Sequence, residues 1–351
     1  MIQLKMMSYY ENIDNYKKID SIVDELINNA LTEAGLHTMQ VAHRVKSAES
    51  VASKLDRKPE KYSKATDITD LVGFRIICYF TDQIDLISAI IRDLFDIDWD
   101  NCIDKSKSLS PNAFGYLSVH YICSLKHSGQ YPDELCRYRF EIQIRTVLQH
   151  TWAEIEHDLG YKNELGVPIH VRREFSRMAS LLEVADEGFL RIKYTLDEYS
   201  RKVIAKLKSG DVAEIAIDTL SLHEFMKYNS DYLSLVKDIA SITDARVIES
   251  NADPYIRQLA YLGIEDLGVL VEAIRNNRDL AMRLAHDSLE MMEIDEVSSF
   301  VGLYYLCRAI LIRGDFNSKD IINYFSLLTP NEVQIERNST RILKQRARYI
   351  G

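Results

Sequence analysis

The segment YRFEIQIRTVLQHTWAEIEHD, residues 138–158, limits the fold more than any other stretch. Its first half alternates: Phe140, Ile142 and Ile144 point one way, and Arg139, Glu141, Gln143 and Arg145 the other. A strand with one apolar face needs a sheet and a second layer to cover that face. A helix carrying His150 and Glu154 follows directly. A half-exposed strand also turns polar groups outward. Yet two arginines, a carboxylate and an amide in one row, continued by that helix, mark this face as a candidate ligand surface.

Three stretches upstream carry related signals. In TMQVAHRVKSAESVASKLDRK (38–58) a strand passes into a helix. Arg44 and Lys46 share a strand face, Ser47 can cap the helix, and Ser50 and Lys54 share a helical face. Helix N-termini favour anions and the amines add charge, so a polyphosphate would suit this place. The plain alternative is a basic, solvated helix start. LVGFRIICYF (71–80) reads as a central strand, with Arg75 on the face of Ile77 and Tyr79. An arginine there needs a partner or a cavity. Asp70 lies at its mouth, where it could hold Mg²⁺ together with Glu141, or simply cap a turn. In DKSKSLSPNAFGYLSVHYICSL (104–125) a polar loop leads into a strand. Tyr116 follows the flexible Gly115 and could swing over a base, and His120 could donate to a phosphate or ribose.

The character of the chain changes near residue 210. PIHVRREFSRMASLLEVADEGFLRIKYTLDEYSRKVIAKLK (168–208) is helical in pattern, with Phe175, Met178, Leu182, Ala185 and Phe189 at helix spacing. KSGD (208–211) offers a break, and the helical pattern resumes beyond it. Ser221 with Glu224, and Thr329 with Glu332, are candidate capping boxes. ESNADPY and IRGDFNS read as turns, and no fixed-period repeat is found. The basic end, with Arg337, Arg341, Lys344, Arg346 and Arg348, reads as a solvated helix terminus.

A length of 351 residues suggests two domains or one with an appendage. At 46% hydrophobic and 27% charged the composition is that of an ordinary soluble protein. No apolar run of about 18 residues predicts a membrane helix, and the N-terminus lacks the pattern of a signal peptide. The 5 cysteines are scattered without metal-ligand spacing, which predicts free thiols in a reducing cytoplasm. The net charge of -10 argues against a generic nucleic-acid coat but leaves room for a local basic groove.

Taken in order, RVKSAESVASKL, DITDLVGFRIIC, FGYLSVHY and EIQIRTVLQHTWAEIEHDLGYK closely resemble the synthetase domain of the RelA/SpoT family, over roughly residues 38–165. That resemblance implies an α+β, nucleotidyltransferase-like domain, a mixed sheet flanked by helices (1–208); the helical pattern beyond KSGD adds an all-helical C-terminal domain (212–351) that the resemblance does not cover. The resemblance implies an ATP-dependent pyrophosphotransferase that makes the alarmone (p)ppGpp from ATP and GDP or GTP. Asp70 would be the main Mg²⁺ ligand. Glu141 would bind Mg²⁺ and contact or deprotonate the attacking 3′-hydroxyl. Arg44 and Arg75 would flank adenine, and Lys46, Ser50 and Lys54 would bind the phosphates of ATP. Tyr116 would stack on the acceptor base, with His120, Gln143, Arg145 and His150 completing the acceptor site.

Leu117 departs from the family pattern, which usually has a basic or amide residue there. This weakens the case for a guanine nucleotide with a fully charged 5′ end. It leaves a tRNA 3′ end or an adenine nucleotide as alternative acceptors. A non-catalytic nucleotide sensor is the competing class, and the intact Arg44, Lys46, Asp70, Tyr116 and Glu141 speak against it. No hydrolase domain is expected ahead of the first motif, and His157–Asp158 reads as structural beside a core stripe of Leu148, Trp152, Ile155 and Leu159. The C-terminal region is open to three roles: regulator, oligomerisation surface or fused neutraliser.

Overall fold

The computed structural model describes residues 2–104, 118–161 and 168–350. The chain divides into two compact units, Met1–Lys193 and Tyr194–Gly351.

The first unit is built on a mixed six-stranded sheet. Its elements are α1 (Ile2–Glu33), β1 (Thr38–Val45), α2 (Ala48–Arg57), β2 (Val72–Cys78), α3 (Asp82–Leu94), β3 (Phe95–Ile97), β4 (Ile103–Asp104), β5 (Val119–Leu125), β6 (Phe140–Thr146), α4 (Val147–Tyr161) and the start of α5 (Ile169–Ser209). The order across the sheet is β1-β2-β6-β5-β3, with β4 beside β5. β2 and β6 run parallel at the centre, and the other pairs are antiparallel.

Alternation decides which face is covered. Phe140, Ile142 and Ile144 are fully buried with Phe74 and Ile76 beside α1 and α3. Sequence reading did not mark α1 as a helix. Its buried Tyr16, Ile19, Val23 and Ile27 follow helical spacing, which is the signal that identifies it. The opposite face carries Glu141 and Gln143 and meets α4. The stripe expected on α4 is only partly buried: Trp152 is 8% exposed, but Ile155 and Leu159 are 49% and 59% exposed. On α5 likewise, Met178 and Phe189 are about half exposed, whereas Ala179 and Asp186 are buried. The helical periods are present, but the buried seam is displaced from the expected residues. On α5 it takes in Asp186, whose carboxyl accepts a hydrogen bond from the Thr146 hydroxyl, a pairing that an apolar pattern does not reveal.

The second unit contains the end of α5, then α6 (Thr219–Tyr228), α7 (Ser230–Ala240), β7 (Arg246–Ile248), α8 (Asp253–Tyr261), α9 (Leu267–Leu289), β8 (Glu296–Ser298), α10 (Val301–Arg313), α11 (Ser318–Ser326) and α12 (Glu332–Tyr349). It is helical apart from the short parallel pair β7–β8 and an isolated antiparallel bridge between Ala216 and Asp266. The division between units falls inside α5, ahead of the break expected at 208–211, because Tyr199, Val203 and Leu207 already pack in the second core. The helix itself does stop at the break. Gly210 takes φ +78°, and the Gly210 and Asp211 amides donate back to Leu207 and Lys206.

Two helix starts are capped by neighbours of the expected residues. Asp218, not Ser221, caps α6, with Ser221 closing the box from inside the helix. Asn331, not Thr329, caps α12. The basic C-terminus is more than a solvated end. Arg346 donates to the carbonyls of Ile312, Gly314 and Phe316, satisfying the orphan carbonyls where α10 ends. All five cysteines are free, and Cys78, Cys123, Cys136 and Cys307 are buried. No helix among the described residues is long and apolar enough to cross a membrane.

Candidate active site

Sheet register builds the floor of the site. Arg44 on β1 lies opposite Gly73 on β2, which lies opposite Glu141 on β6. The next row is Ala42, Arg75, Gln143 and, on β5, His120. Partners in register share a face, so a cation, a gap and a carboxylate alternate across one surface. A Cβ on Gly73 would meet nothing within 4 Å, so the missing side chain leaves open floor between Arg44 and Glu141. A cleft of about 140 Å³ lies over it, lined among others by Arg44, Lys46, Asp70, Arg75, Glu141 and Gln143. A groove of about 650 Å³ shares Arg44 and Lys46 and adds Ser50, Lys54, Arg57, Lys58 and His157.

Local sequence explains the cationic wall. Ser47 caps α2, its hydroxyl oxygen accepting from the Ser50 amide at 3.3 Å. The Lys46 ammonium donates to Asp70 Oδ2 at 2.6 Å and the Lys54 ammonium to Oδ1 at 2.8 Å. Burial pushes the Asp70 carboxyl up, but the two lysines outweigh it and hold it below the usual carboxylate range. Burial lowers the Lys46 ammonium, with Asp70 opposing and Lys54 and Arg44 adding to the effect.

On β6, Glu141 Oε1 is 2.8 Å from His120 Nδ1, and its Oε2 accepts from Gln143 Nε2 at 2.9 Å. Burial pushes the Glu141 carboxyl up, yet His120 and Gln143 together bring it below its ordinary value. Arg75 pairs with Glu154 at 2.7 Å, which answers the need of an arginine in that strand. His150 is held low, first by burial and then by the neighbouring Arg75 charge. Three buried polar atoms of this face have no hydrogen-bond partner: Gln143 Oε1, Arg75 Nε and His150 Nδ1. Of the three residues, Gln143 and Arg75 line the cleft.

The structure thus brings Arg44, Lys46, Asp70, Arg75, Glu141 and Gln143 to one cleft, with Ser50 and Lys54 in the adjoining groove. His120 joins through Glu141. Arg145 is buried, and His150 stands near Arg75 and Arg145 rather than lining either space. Tyr116 and Leu117 lie outside the described residues. Arg139 leaves the polar row and pairs with Asp98 at 3.4 Å. His157, read as structural, lines the groove. Sequence reading also missed Gly73, Arg57 and Lys58. The step of four that joins Ser50 to Lys54 reaches Lys58, so the last of these was within reach of pattern alone.

Hard carboxylate oxygens on Asp70 and Glu141 suit Mg²⁺, and the two are close enough for the Asp70 charge to act on Glu141. Lys46 and Lys54 stand as cations on Asp70. Among the described residues no group of three or more His, Cys, Asp or Glu is arranged for a metal. The chemistry that fits Mg²⁺ is thus that of the two carboxylates, Asp70 and Glu141, both of which line the cleft.

A family model described as a region found in RelA / SpoT proteins matches residues 43–165. The chain is 32% identical over 157 residues to GTP pyrophosphokinase YwaC of Bacillus subtilis, covering 44% of this chain and 73% of that protein. The chain belongs to the RelA/SpoT family. A second relative, GTP pyrophosphokinase YjbM of the same organism, is 29% identical over 174 residues, 49% of this chain and 79% of the relative. A crystal structure of small alarmone synthetase 2 from Bacillus subtilis aligns with 28% identity and a TM-score of 0.45, over 53% of this chain and 98% of that one. As a RelA/SpoT protein with these relatives, the chain is an enzyme of the pyrophosphotransferase class.

Proposed function

We propose that this enzyme transfers the β,γ-pyrophosphate of ATP to the 3′-hydroxyl of GDP or GTP, making (p)ppGpp in the cytoplasm. The observation that carries the reading is the juxtaposition of Asp70 and Glu141 with a groove lined by Arg44, Lys46 and Lys54. The names of the two relatives, both GTP pyrophosphokinases, support a guanine nucleotide as acceptor.

Pyrophosphoryl transfer asks for positioning and charge neutralisation more than covalent chemistry. Lys46, Ser50 and Lys54 would receive the phosphates of ATP, the two lysines exchanging Asp70 for phosphate oxygens. Arg44 and Arg75 would flank the adenine, since guanidinium planes stack well on aromatic faces. Mg²⁺, held by Asp70 and Glu141, would supply charge neutralisation on the phosphates. Glu141 would take the proton of the 3′-hydroxyl as that oxygen bonds to the β-phosphorus. The bond from the β-phosphorus to the oxygen bridging the α-phosphate breaks, and AMP leaves with that oxygen. Gln143, which lines the cleft, would hold the acceptor, with Tyr116 on its base.

Incubation with γ-labelled ATP and GDP, GTP, ADP, ATP or deacylated tRNA tests this. Label on GDP or GTP is the expected result. Label on tRNA or an adenine nucleotide instead replaces the acceptor, the outcome that Leu117 favours. Label on none of them removes the transfer reading.

A further inference from the structure

We infer that His120 and Ser118 are positioning residues for Glu141, forming a hydrogen-bonded chain that aims its carboxylate at the attacking hydroxyl. This rests on the transfer reading above. His120 registers with Gln143 on β6 and so projects from the same face as Glu141, its diagonal neighbour. Its Nδ1 is 2.8 Å from Glu141 Oε1, and its Nε2 is 2.8 Å from the Ser118 hydroxyl. The ring has only these two polar atoms, and both are engaged inside the protein. In this arrangement the ring serves Glu141; the acceptor contact expected of His120 from sequence would require one of these two bonds to be exchanged for the ligand.

The chemistry of the partners orders the chain. An ionised carboxylate only accepts, so Nδ1 carries the proton that points at Glu141. Nε2 then accepts from the Ser118 hydroxyl in a neutral ring, or donates to it in a charged one. In both states Glu141 receives the same donor. Ser118 is 2% exposed, and the His120 and Glu141 side chains are 12% and 17% exposed, so the chain is shielded from competing water. Gln143 holds the second oxygen. Glu141 is thus held at both oxygens while it lines the cleft.

The clamp also has something to resist. Arg44, Lys46 and Arg75 line the same cleft. A carboxylate released from His120 is drawn toward these cations and away from the acceptor. A displacement of about 1 Å at a reacting group can cost about 100-fold in rate.

The test is steady-state kinetics of the full chain with ATP and whichever acceptor the labelling assay identifies. His120→Leu is expected to lower kcat by about 100-fold, with both KM values within about twofold of wild type. His120→Asn, whose amide can donate from near the Nδ1 position, is expected to recover at least about tenfold of that loss. Ser118→Ala is expected to lower kcat by about three- to tenfold. A rise in acceptor KM with kcat kept in His120→Leu would overturn the inference and make His120 an acceptor contact. Equal kcat losses in the Leu and Asn variants would overturn the donor role. If His120→Leu does not fold, Ser118→Ala and His120→Asn carry the comparison, and wild-type kcat in both overturns it. Absence of transfer by the wild-type chain overturns the transfer reading itself, whereas an active wild type with unchanged His120→Leu overturns only the positioning role.

Discussion

In the sheet unit, Lys46 and Asp70 are partnered with each other along a cleft, with side-chain exposures of 14% and 25%. In the helical unit the buried polar side chains are enclosed instead. Gln258 is fully buried, accepting from the Tyr324 hydroxyl and donating to the Pro254 carbonyl. Arg308 lies 3.3 Å above the Tyr304 ring and donates to the Tyr304 carbonyl. Partners that reach water can be exchanged for a ligand, whereas enclosed ones serve packing. A charge in a core is therefore a poor guide to function until its access to solvent is known.

The comparison breaks or sharpens in four ways. The largest effect is expected from Asp70→Asn, which removes a charge at nearly constant volume. Transfer should fall by about 1000-fold with the fold retained, since metal-assisted charge stabilisation is worth several kcal/mol. Wild-type rates in Asp70→Asn at limiting Mg²⁺ would refute the metal role. Next is Gly73→Leu. The backbone accepts a Cβ, since nothing lies within 4 Å of it, but a longer side chain fills the floor between Arg44 and Glu141. A loss of about 100-fold in kcat/KM for ATP is expected with an unchanged melting temperature. A normal KM would mean that ATP does not lie there.

Arg308→Met probes the other unit. Losing the stack on Tyr304 should cost about 1–2 kcal/mol in urea unfolding. Transfer per folded molecule should hold. A drop in transfer with the fold intact would end the contrast between the units. The smallest effect concerns pH. Burial pushes Asp70 up, but hydrogen bonds from Lys46 and Lys54 prevail and its carboxyl is lowered. A lowered group contributes stability above its unfolded pKa of about 3.9, and this is lost as pH falls through the lower folded value. The stability difference between wild type and Asp70→Asn should therefore stay constant from pH 8 to pH 5 and shrink only under more acid conditions. Shrinkage between pH 7 and pH 5 would show a raised carboxyl instead.

Alternation made β2 and β6 legible, because one face of each is covered and a slip of one residue would expose Phe74 or Ile142. The conjunction of Arg44, Lys46, Asp70 and Glu141 was legible through motif order. The hydrogen-bond partners were not. Ser118 and His120 reach Glu141 through the pairing of β5 with β6, and strand order is not written in local periodicity. Arg139 misled for the same reason: its place in an alternating row says nothing of Asp98, which lies in another loop. Gly73 was invisible because its contribution is an absent side chain. In the helical unit, the core residues of α5 were hidden by a helix that runs on past the point where packing changes hands.

The free cysteines supply a clock for each unit. Cys78 and Cys123 are fully buried in the sheet, and Cys307 is fully buried among the helices. Burial pushes the Cys78 and Cys307 thiols up to about 12, so neither offers a thiolate to an alkylating reagent in the closed state. Labelling then waits for local or global opening, and its rate reads the opening free energy at that site. Mass spectrometry of the peptides around Cys78 and Cys307 therefore gives two separate opening free energies from one sample, with no probe introduced into either unit.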